Sequence, residues 1–164
     1  MAVAPTGMLS LPLSYLRAAI SASSNFQTLV GAANAAAALA YIHVAEYESD
    51  TPAPPFAVVA WGDDAQVEST SGGTRDRFTR TGSLIVILRT AVDADHSSQD
   101  AAYTFLNVAG AILADVMALS GTAGYPSIKT ISPLLPPSRP HEDEKASYGD
   151  FFEAAWRIEY WGIA

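Results

Sequence analysis

The chain has 164 residues, no cysteine and a formal net charge of −8 at pH 7. Its length is typical of one domain with a single core, and the lack of cysteine excludes disulfides, thiolate metal sites and cysteine nucleophiles. Its nine lysines and arginines are scattered, whereas proteins that grip nucleic acid cluster them against phosphates, so tight direct binding to nucleic acid is not expected.

Apolar residues are in excess. Hydrophobic residues make up 49% of the chain and charged residues 16%, where about a quarter is usual. A domain of this size has a limited interior, so part of its apolar surface must reach solvent or meet a partner. The excess therefore indicates a homo-oligomer, although the alanine-rich stretch 32–40 offers a simpler explanation for part of it.

The chain is predicted to start with a flexible arm, residues 1–10, followed by a helix over Leu11–Ser23. Pro12 suits the first turn of this helix, and apolar residues recur in it at helical spacing. No signal peptide is expected, because a basic leader is missing and Pro12 and Arg17 interrupt the apolar stretch. No apolar run approaches the length of a membrane span, so residence in a cytoplasm is the default expectation.

A second short helical turn is predicted over Phe26–Val30, with Ser24 or Asn25 as its cap. The stretch Ala32–Ala40 is compatible with helix or with an ordered loop. Aromatic and β-branched residues then predict a strand over Tyr41–Tyr47.

A long β-hairpin is predicted over Phe56–Thr90. Phe56–Trp61 is apolar on both faces, as in a central strand, and Ser83–Thr90 is strongly apolar. Between them, Gly62–Thr81 is polar and contains the turn Ser71-Gly72-Gly73. The base of the hairpin is thus expected to be buried and its polar arm to project, where a neighbouring subunit would order it. A flexible surface loop is the alternative.

The strongest helix signal covers Asp93–Ser120. Gly121 stands where a left-handed C-terminal cap is expected. Side-chain oxygens able to cap the start belong to Asp95, Ser97 and Asp100. The apolar stripe at helical spacing consists of Ala102, Phe105, Leu106, Ala109, Ile112, Leu113, Val116 and Met117.

The last third contains two more predicted strands. Ser127–Ser132 is the first, and Pro133–Gly149 is predicted to be a mobile loop rich in proline and acid. The closing strand alternates strictly. Its core-facing residues are Phe152, Ala154, Trp156, Ile158 and Tyr160. Its charged residues, expected to face water or a partner, are Glu153, Arg157 and Glu159.

These elements predict one α+β domain over residues 1–164. It would have a mainly antiparallel sheet, one long helix packed on one sheet face, short N-terminal helices and a projecting β-hairpin.

Residues for catalysis, cofactor binding or metal binding are not predicted. The three histidines, His43, His96 and His141, show no ligand spacing, and no phosphate-binding loop or nucleophile elbow is present. Asp93-x-Asp95-x-Ser97 begins like a calcium loop, but the glycine and the bidentate acid of such a loop are missing. The chain is therefore expected not to be an enzyme and to need no cofactor.

The local concentration of positive charge lies on the outer half of the hairpin, where Arg75 and Arg77 would share a face. Docking on an acidic neighbour, such as the next copy of this chain, is one interpretation, and ordinary surface charge is the other. The candidate subunit-interface residues are Arg75, Arg77, Arg80, Glu68 and Phe78. The candidate partner surface consists of Glu153, Arg157 and Glu159.

The order of these elements resembles the tail terminator (tail-completion) proteins of long-tailed bacteriophages, over roughly Leu11–Gly162. The resemblance is carried by the helical start ending in Phe26-Gln27-Thr28-Leu29-Val30-Gly31, the segment Pro54-Pro55-Phe56-Ala57-Val58-Val59, the hairpin into Gly82-Ser83-Leu84-Ile85-Val86-Ile87-Leu88, the helix from Ser97 and the closing strand Phe151–Trp161. Pro133–Gly149 is longer than in the shorter members of the family.

The resemblance implies a hexameric ring that caps the head-proximal end of the tail tube, stops tube polymerisation and joins the tail to neck proteins. It implies a virion location after assembly in the host cytoplasm, with DNA passing through the lumen without specific binding and without a membrane. A gene transfer agent particle would fit equally well. A closed ring also suits the apolar excess, because each subunit then buries one patch against a different patch of its neighbour.

Two other classes remain open from the sequence. Within assembly proteins, a neck or stopper protein or a tail tube subunit is the alternative. Outside them, a small α+β enzyme or ligand-binding domain would have a deep polar-lined pocket, for example around His43 and Tyr47.

Overall fold

A computed structural model of the protein describes residues 10–44, 53–64, 66–70, 77–81, 83–91, 99–134, 140–141 and 151–163. Within this part the chain forms one main sheet with a helical layer, as predicted, and a separate two-stranded ribbon. The helices are α1 (Leu11–Ala22), α2 (Ser24–Leu29), α3 (Ala35–Ala38) and α4 (Gln99–Ala118), and a 3₁₀ turn spans Leu39–Tyr41. The strands are β1 (Ile42–Val44), β2 (Phe56–Trp61), β3 (Gln66–Thr70), β4 (Arg77–Thr81), β5 (Leu84–Ala91), β6 (Pro126–Pro133), β7 (Pro140–His141) and β8 (Phe151–Ile163).

The N-terminal helices follow from local chemistry. Pro12 occupies the first turn of α1, where its missing N–H group costs nothing. Ser23 separates α1 from α2, and its hydroxyl accepts a hydrogen bond from the Phe26 N–H at 3.2 Å. The cap of α2 is therefore Ser23, and the prediction of Ser24 or Asn25 was one or two residues late. Asn34 caps α3 in the same way, through the Ala37 N–H.

The main sheet has the strand order β1-β2-β5-β8-β6, with the short β7 pairing with β8. The β1–β2 pair is parallel and the other pairs are antiparallel. The predicted hairpin is present: Phe56 pairs with Arg89 and Trp61 with Leu84 at its base. Farther out, β3 and β4 pair antiparallel with each other as a separate two-stranded ribbon, here called the arm.

The helical layer packs on one sheet face. From α4, Phe105, Ala109, Ile112 and Val116 are buried at helical spacing, and the Phe105 ring stacks on Phe152 of β8 with centroids 5.7 Å apart. The sheet contributes alternate residues to this core: Ala57, Val59, Leu84, Val86, Leu88, Phe152, Ala154 and Ile158. A cavity of about 10 Å³ lies among apolar side chains of this layer, which is roughly the space that one water molecule needs.

Gly121 has the predicted left-handed backbone, with a φ of 76°, but α4 ends at Ala118, so this glycine lies in the turn that follows the helix. Several boundaries differ from the sequence-based ones. The strand predicted over Tyr41–Tyr47 starts at Ile42, because Tyr41 belongs to the 3₁₀ turn. The loop predicted over Pro133–Gly149 contains a two-residue strand, in which His141 pairs with Phe151. The capping residues Asp95 and Ser97 lie outside the described residues, as do residues 1–9 of the predicted arm and most of that loop.

The second sheet face is partly apolar, as the two apolar faces of Phe56–Trp61 predicted for β2 but the alternation of β8 did not. Phe56, Val58 and Ala155 are buried on it, although the strict alternation predicted for β8 placed only charged residues there. Paired strands share faces, so Ala155 lies beside Ile87, and Val58 lies beside Ile87 on the other side. This face is thus a mixed apolar and ionic surface.

By length and composition alone, α4 is apolar enough to cross a membrane, contrary to the sequence-based expectation that no segment would be. The core helix of a soluble protein passes the same test, and α4 packs on the sheet through its four buried residues. Only 22% of its most apolar window is buried, however. The helix therefore exposes much uncharged surface.

Candidate assembly surfaces

The base of the arm is fixed by a small polar cluster. The Gly62 N–H donates to the Ser83 carbonyl at 2.9 Å, which closes the β2–β5 hairpin beyond its last paired residues. One Asp64 carboxylate oxygen accepts from both the Ser83 hydroxyl, at 2.6 Å, and the Ser83 N–H, at 3.2 Å. These hydrogen bonds lower the pKa of Asp64 below its ordinary value, with a smaller contribution from Arg157. Ser83 is fully buried, so the cluster satisfies polar groups that would otherwise be costly.

The cluster packs closely against Gly62. A Cβ atom added there would lie 2.6 Å from both the Asp64 carboxylate oxygen and the Ser83 hydroxyl oxygen. The close approach lets the chain leave β2 and return at β5 while both oxygens keep their hydrogen bond. The arm therefore starts from a rigid base.

The same base is tied to the closing strand. Arg157 of β8 donates from its guanidinium to the Asp63 carboxylate at 3.1 Å. The Asp63 side chain is 88% exposed, so this ion pair is screened and weak on its own. It nevertheless places one of the predicted partner-surface residues, Arg157, directly beside the arm.

The other two residues of the predicted partner surface behave differently. Glu159 is half exposed and lies 3.4 Å from Lys129, as expected of a solvated charge. Glu153 differs from that expectation: its carboxylate accepts from Arg89 at 2.6 Å, and both side chains are about 15% exposed. Its charge is neutralised within the sheet face and is not presented to a partner.

Arg89 also contacts the ring of Phe56, with the guanidinium carbon 5.7 Å from the ring centroid. On the other side of this ring stands His43, edge-on with centroids 5.7 Å apart. Burial, and then the nearby Arg17, lower the pKa of His43 and favour the neutral imidazole. The packing explains His43 as a strand residue against an aromatic neighbour.

The predicted subunit-interface residues lie on or next to the arm. The backbone register pairs Thr70 with Arg77 and Val67 with Arg80. Glu68 pairs with Thr79, and Phe78 pairs with Ser69. Arg75 lies outside the described residues. The structure thus brings four of the five onto one ribbon.

Chemistry-bearing groups do not converge in the described part of the chain. It contains no group of three or more His, Asp or Glu side chains able to hold a metal ion. A groove of about 360 Å³ lies between α2, the start of α4 and the ends of β5 and β8. Its lining residues are Leu29, Thr90, Ala91, Asp100, Ala101, Thr104, Phe105, Val108 and Phe152. Asp100 is the one charged group among them, so this lining lacks the convergent polar groups of a typical ligand site.

The sequence did not predict the polar cluster of Gly62, Asp64 and Ser83 at the base of the arm, nor which large apolar residues are exposed. The Gly62-Asp63-Asp64 sequence after an apolar strand was a turn signal, but its partner Ser83 is nineteen positions away and only the fold brings them together. The exposed large apolar residues among those described are Leu39, Tyr41, Val44, Tyr103 and Met117. Their signal in the sequence was the lack of charge around them.

No protein-family model matches this chain, and no curated protein matches it. Among solved structures, the chain is similar to one described as "Virion of native gene transfer agent (GTA) particle". The TM-score is 0.42 and the identity 15%, over 94% of this chain and 98% of the other. A similarity of this size does not establish a shared function.

Proposed function

We propose that this protein is a structural virion protein without catalytic activity, and more specifically a tail terminator. The observation that carries the proposal is the hairpin: its base is buried and pinned by Ser83 and Asp64, while the arm pairs outside the main sheet. The element order on which the resemblance to tail terminators rests is present in the fold.

A rigid base and a separate ribbon suit contact between subunits. A two-stranded ribbon cannot be stable through its own burial, so it is ordered best by a surface outside the domain. In the proposed ring, a hexamer, each arm lies on the next subunit, with Arg77 and Arg80 opposite an acidic copy of the same chain. The half-exposed Glu159 and Arg157 beside the arm are left for tube or neck proteins.

The charge supports a passive lumen. A net charge of −8 repels DNA, so a ring of such subunits lets DNA slide through without binding it. The protein would lie at the head-proximal end of the tail, after assembly in the host cytoplasm, and would need no cofactor and no membrane.

The decisive experiment removes the protein from its source particle. Without it, we expect headless tails of uncontrolled length, seen by electron microscopy, and normal particles when the intact gene is restored. Normal particles in its absence would contradict the proposal.

A second experiment separates the alternatives with purified protein. Light scattering and negative-stain microscopy should show one discrete ring. Open-ended tubes would assign the chain to tube subunits instead. A monomer or dimer that binds a small molecule in the groove beside Phe105 and Phe152 would assign it to ligand-binding domains.

A further inference from the structure

Two exposed patches on the described surface combine large apolar side chains with an absence of acidic residues. The first, here called the edge patch, consists of Leu39, Tyr41 and Val44, which are 36–39% exposed. The second, the helix patch, is the outer face of α4 between Tyr103, 64% exposed, and Met117, 42% exposed. They are formed by different elements.

The edge patch lies at the margin of the sheet. β1 stands at the end of the strand order and is paired, in the described part of the chain, with β2 alone. The turn before it is held in place by Arg17, which donates to the Leu39 carbonyl at 3.0 Å. The sequence contains no lysine, arginine, aspartate or glutamate between Arg17 and Glu46.

The helix patch is a continuous face of α4. Between its two large ends lie Asn107, Gly110 and Ala114, all exposed, at alternating spacings of four and three residues. No charged residue lies between Asp100 and Asp115. The Asp115 carboxylate is hydrogen-bonded within the domain, because it accepts from Ser23 and Asn25. The central residues Gly110 and Ala114 are smaller than the tyrosine and the methionine at the two ends.

Gly110 adds an independent observation. A Cβ atom built on it meets nothing within 4 Å, so the domain itself does not require glycine there. A glycine inside a helix nevertheless costs about 1 kcal/mol relative to alanine. A close approach from outside the domain would account for it.

The occupant follows from charge. Copies of a chain with net charge −8 repel one another, so they can approach most closely through surfaces that carry no acidic residue. A closed ring needs two different surfaces on each subunit, because its contacts are heterologous. The edge patch and the helix patch are two such surfaces, and α1 contacts both α4 and β1.

Resting on the proposed ring, we propose that the helix patch of each subunit receives the edge patch of the next, with an aromatic side chain of the edge patch seated over Gly110. This contact would act together with the arm, which is formed by other residues.

The test uses two single substitutions in the full chain. Tyr41→Glu places a carboxylate in the edge patch, and Tyr103→Glu places one in the helix patch. A charge buried without a partner in an apolar contact weakens it strongly, so each variant should lose at least about 100-fold in self-association, seen as subunit-sized mass by light scattering. Thr130→Glu, on an exposed position of β6 outside both patches, adds the same charge and should keep the ring.

Mixing makes the test specific. Equal amounts of the two variants should form a one-to-one heterodimer and nothing larger, because one unmodified edge patch and one unmodified helix patch remain. Unchanged far-ultraviolet circular dichroism would show that both variants are folded. Rings formed by either variant alone, or a mixture that stays monomeric, would overturn the pairing and leave the terminator role standing. A wild-type protein that stays monomeric would contradict both the patch pairing and the terminator role.

Discussion

At the scale of single residues, Asp115 shows how one carboxylate joins distant parts of the chain. It accepts from the Ser23 hydroxyl at 2.6 Å and from the Asn25 amide at 2.9 Å, so it ties α4 to the junction of α1 and α2. These hydrogen bonds, that of Ser23 first, lower its pKa below the ordinary 3.8. The folded state therefore holds the proton less tightly than the unfolded chain does. The resulting stabilisation is complete above pH 3.8 and is lost as the pH falls through the lowered value.

Replacing this carboxylate tests that account. Asp115→Asn should lower the free energy of unfolding by about 1–2 kcal/mol at pH 7, since hydrogen bonds to a charged acceptor are the stronger kind. The stability of the variant should also fall less than that of the wild type between about pH 4 and pH 2. Urea unfolding across this range measures both. Glu159→Gln, in an exposed pair, is the control and should change stability by less than about 0.5 kcal/mol. Equal effects of the two substitutions would contradict the role of Asp115.

Gly62 gives the second prediction at this scale. Gly62→Ala should displace the Asp64 carboxylate from Ser83, because the new Cβ lies 2.6 Å from both side-chain oxygens. Leaving the buried Ser83 groups without their acceptor should cost about 1–3 kcal/mol in thermal or urea unfolding. In an Asp64→Ala background, the same glycine substitution should cost clearly less, because the interaction is already lost. An equal cost in both backgrounds would show that backbone strain, and not the hydrogen bond, is responsible.

At the scale of elements, the glycines of α4 and of its end should respond in opposite directions. Gly110→Ala should raise the free energy of unfolding of the monomer by about 0.5–1 kcal/mol, because helix propensity improves and no atom lies within 4 Å. Gly121→Ala, at a φ of 76°, should lower it by about 1 kcal/mol, because alanine is strained there. Both are measured by chemical unfolding in the monomeric Tyr103→Glu background, where subunit contacts do not contribute. A loss of stability in Gly110→Ala would mean that the domain itself needs this glycine.

Periodicity along the chain predicted most elements because their chemistry is local. The apolar stripe of α4, the apolar runs of β2 and β5 and the left-handed Gly121 each depend on neighbours within a few residues. The β8 part of the second sheet face could not be predicted in this way. Ala155 of β8 is buried beside Ile87, and Glu153 is neutralised by Arg89, through pairings that join segments more than sixty positions apart.

The candidate surfaces were likewise predicted only where local sequence determines them. That a polar hairpin would leave the core followed from composition, whereas the Asp64–Ser83 cluster that fixes its direction required the register of β2 and β5. The lack of charge between Arg17 and Glu46 was visible in the sequence. Which of those residues are exposed was not, because Ile42 is buried while its neighbours Tyr41 and Val44 are not.

At the scale of the whole molecule, the proposed contacts of the arm and of the two apolar patches should respond to salt in opposite directions. Contacts between the arm arginines and an acidic neighbour weaken as salt screens their attraction. Contacts between the edge patch and the helix patch are opposed by the repulsion of chains that each carry a net charge of −8, and salt weakens that repulsion. The direction of the salt effect therefore reports which contact dominates the ring.

We expect the apolar contact to dominate, because burial of apolar surface contributes more than exposed ion pairs do. Raising sodium chloride from about 10 mM to about 150 mM shortens the screening length from about 30 Å to about 8 Å. The wild-type ring should then dissociate at a lower protein concentration than it does in low salt, as measured by sedimentation velocity over a dilution series. The variant Arg77→Ala with Arg80→Ala should show the same direction with a larger salt response, since it lacks the attraction that salt opposes. A ring that dissociates at a higher protein concentration as salt is added would instead assign the main contact to the arm. The edge patch and the helix patch would then form a secondary contact.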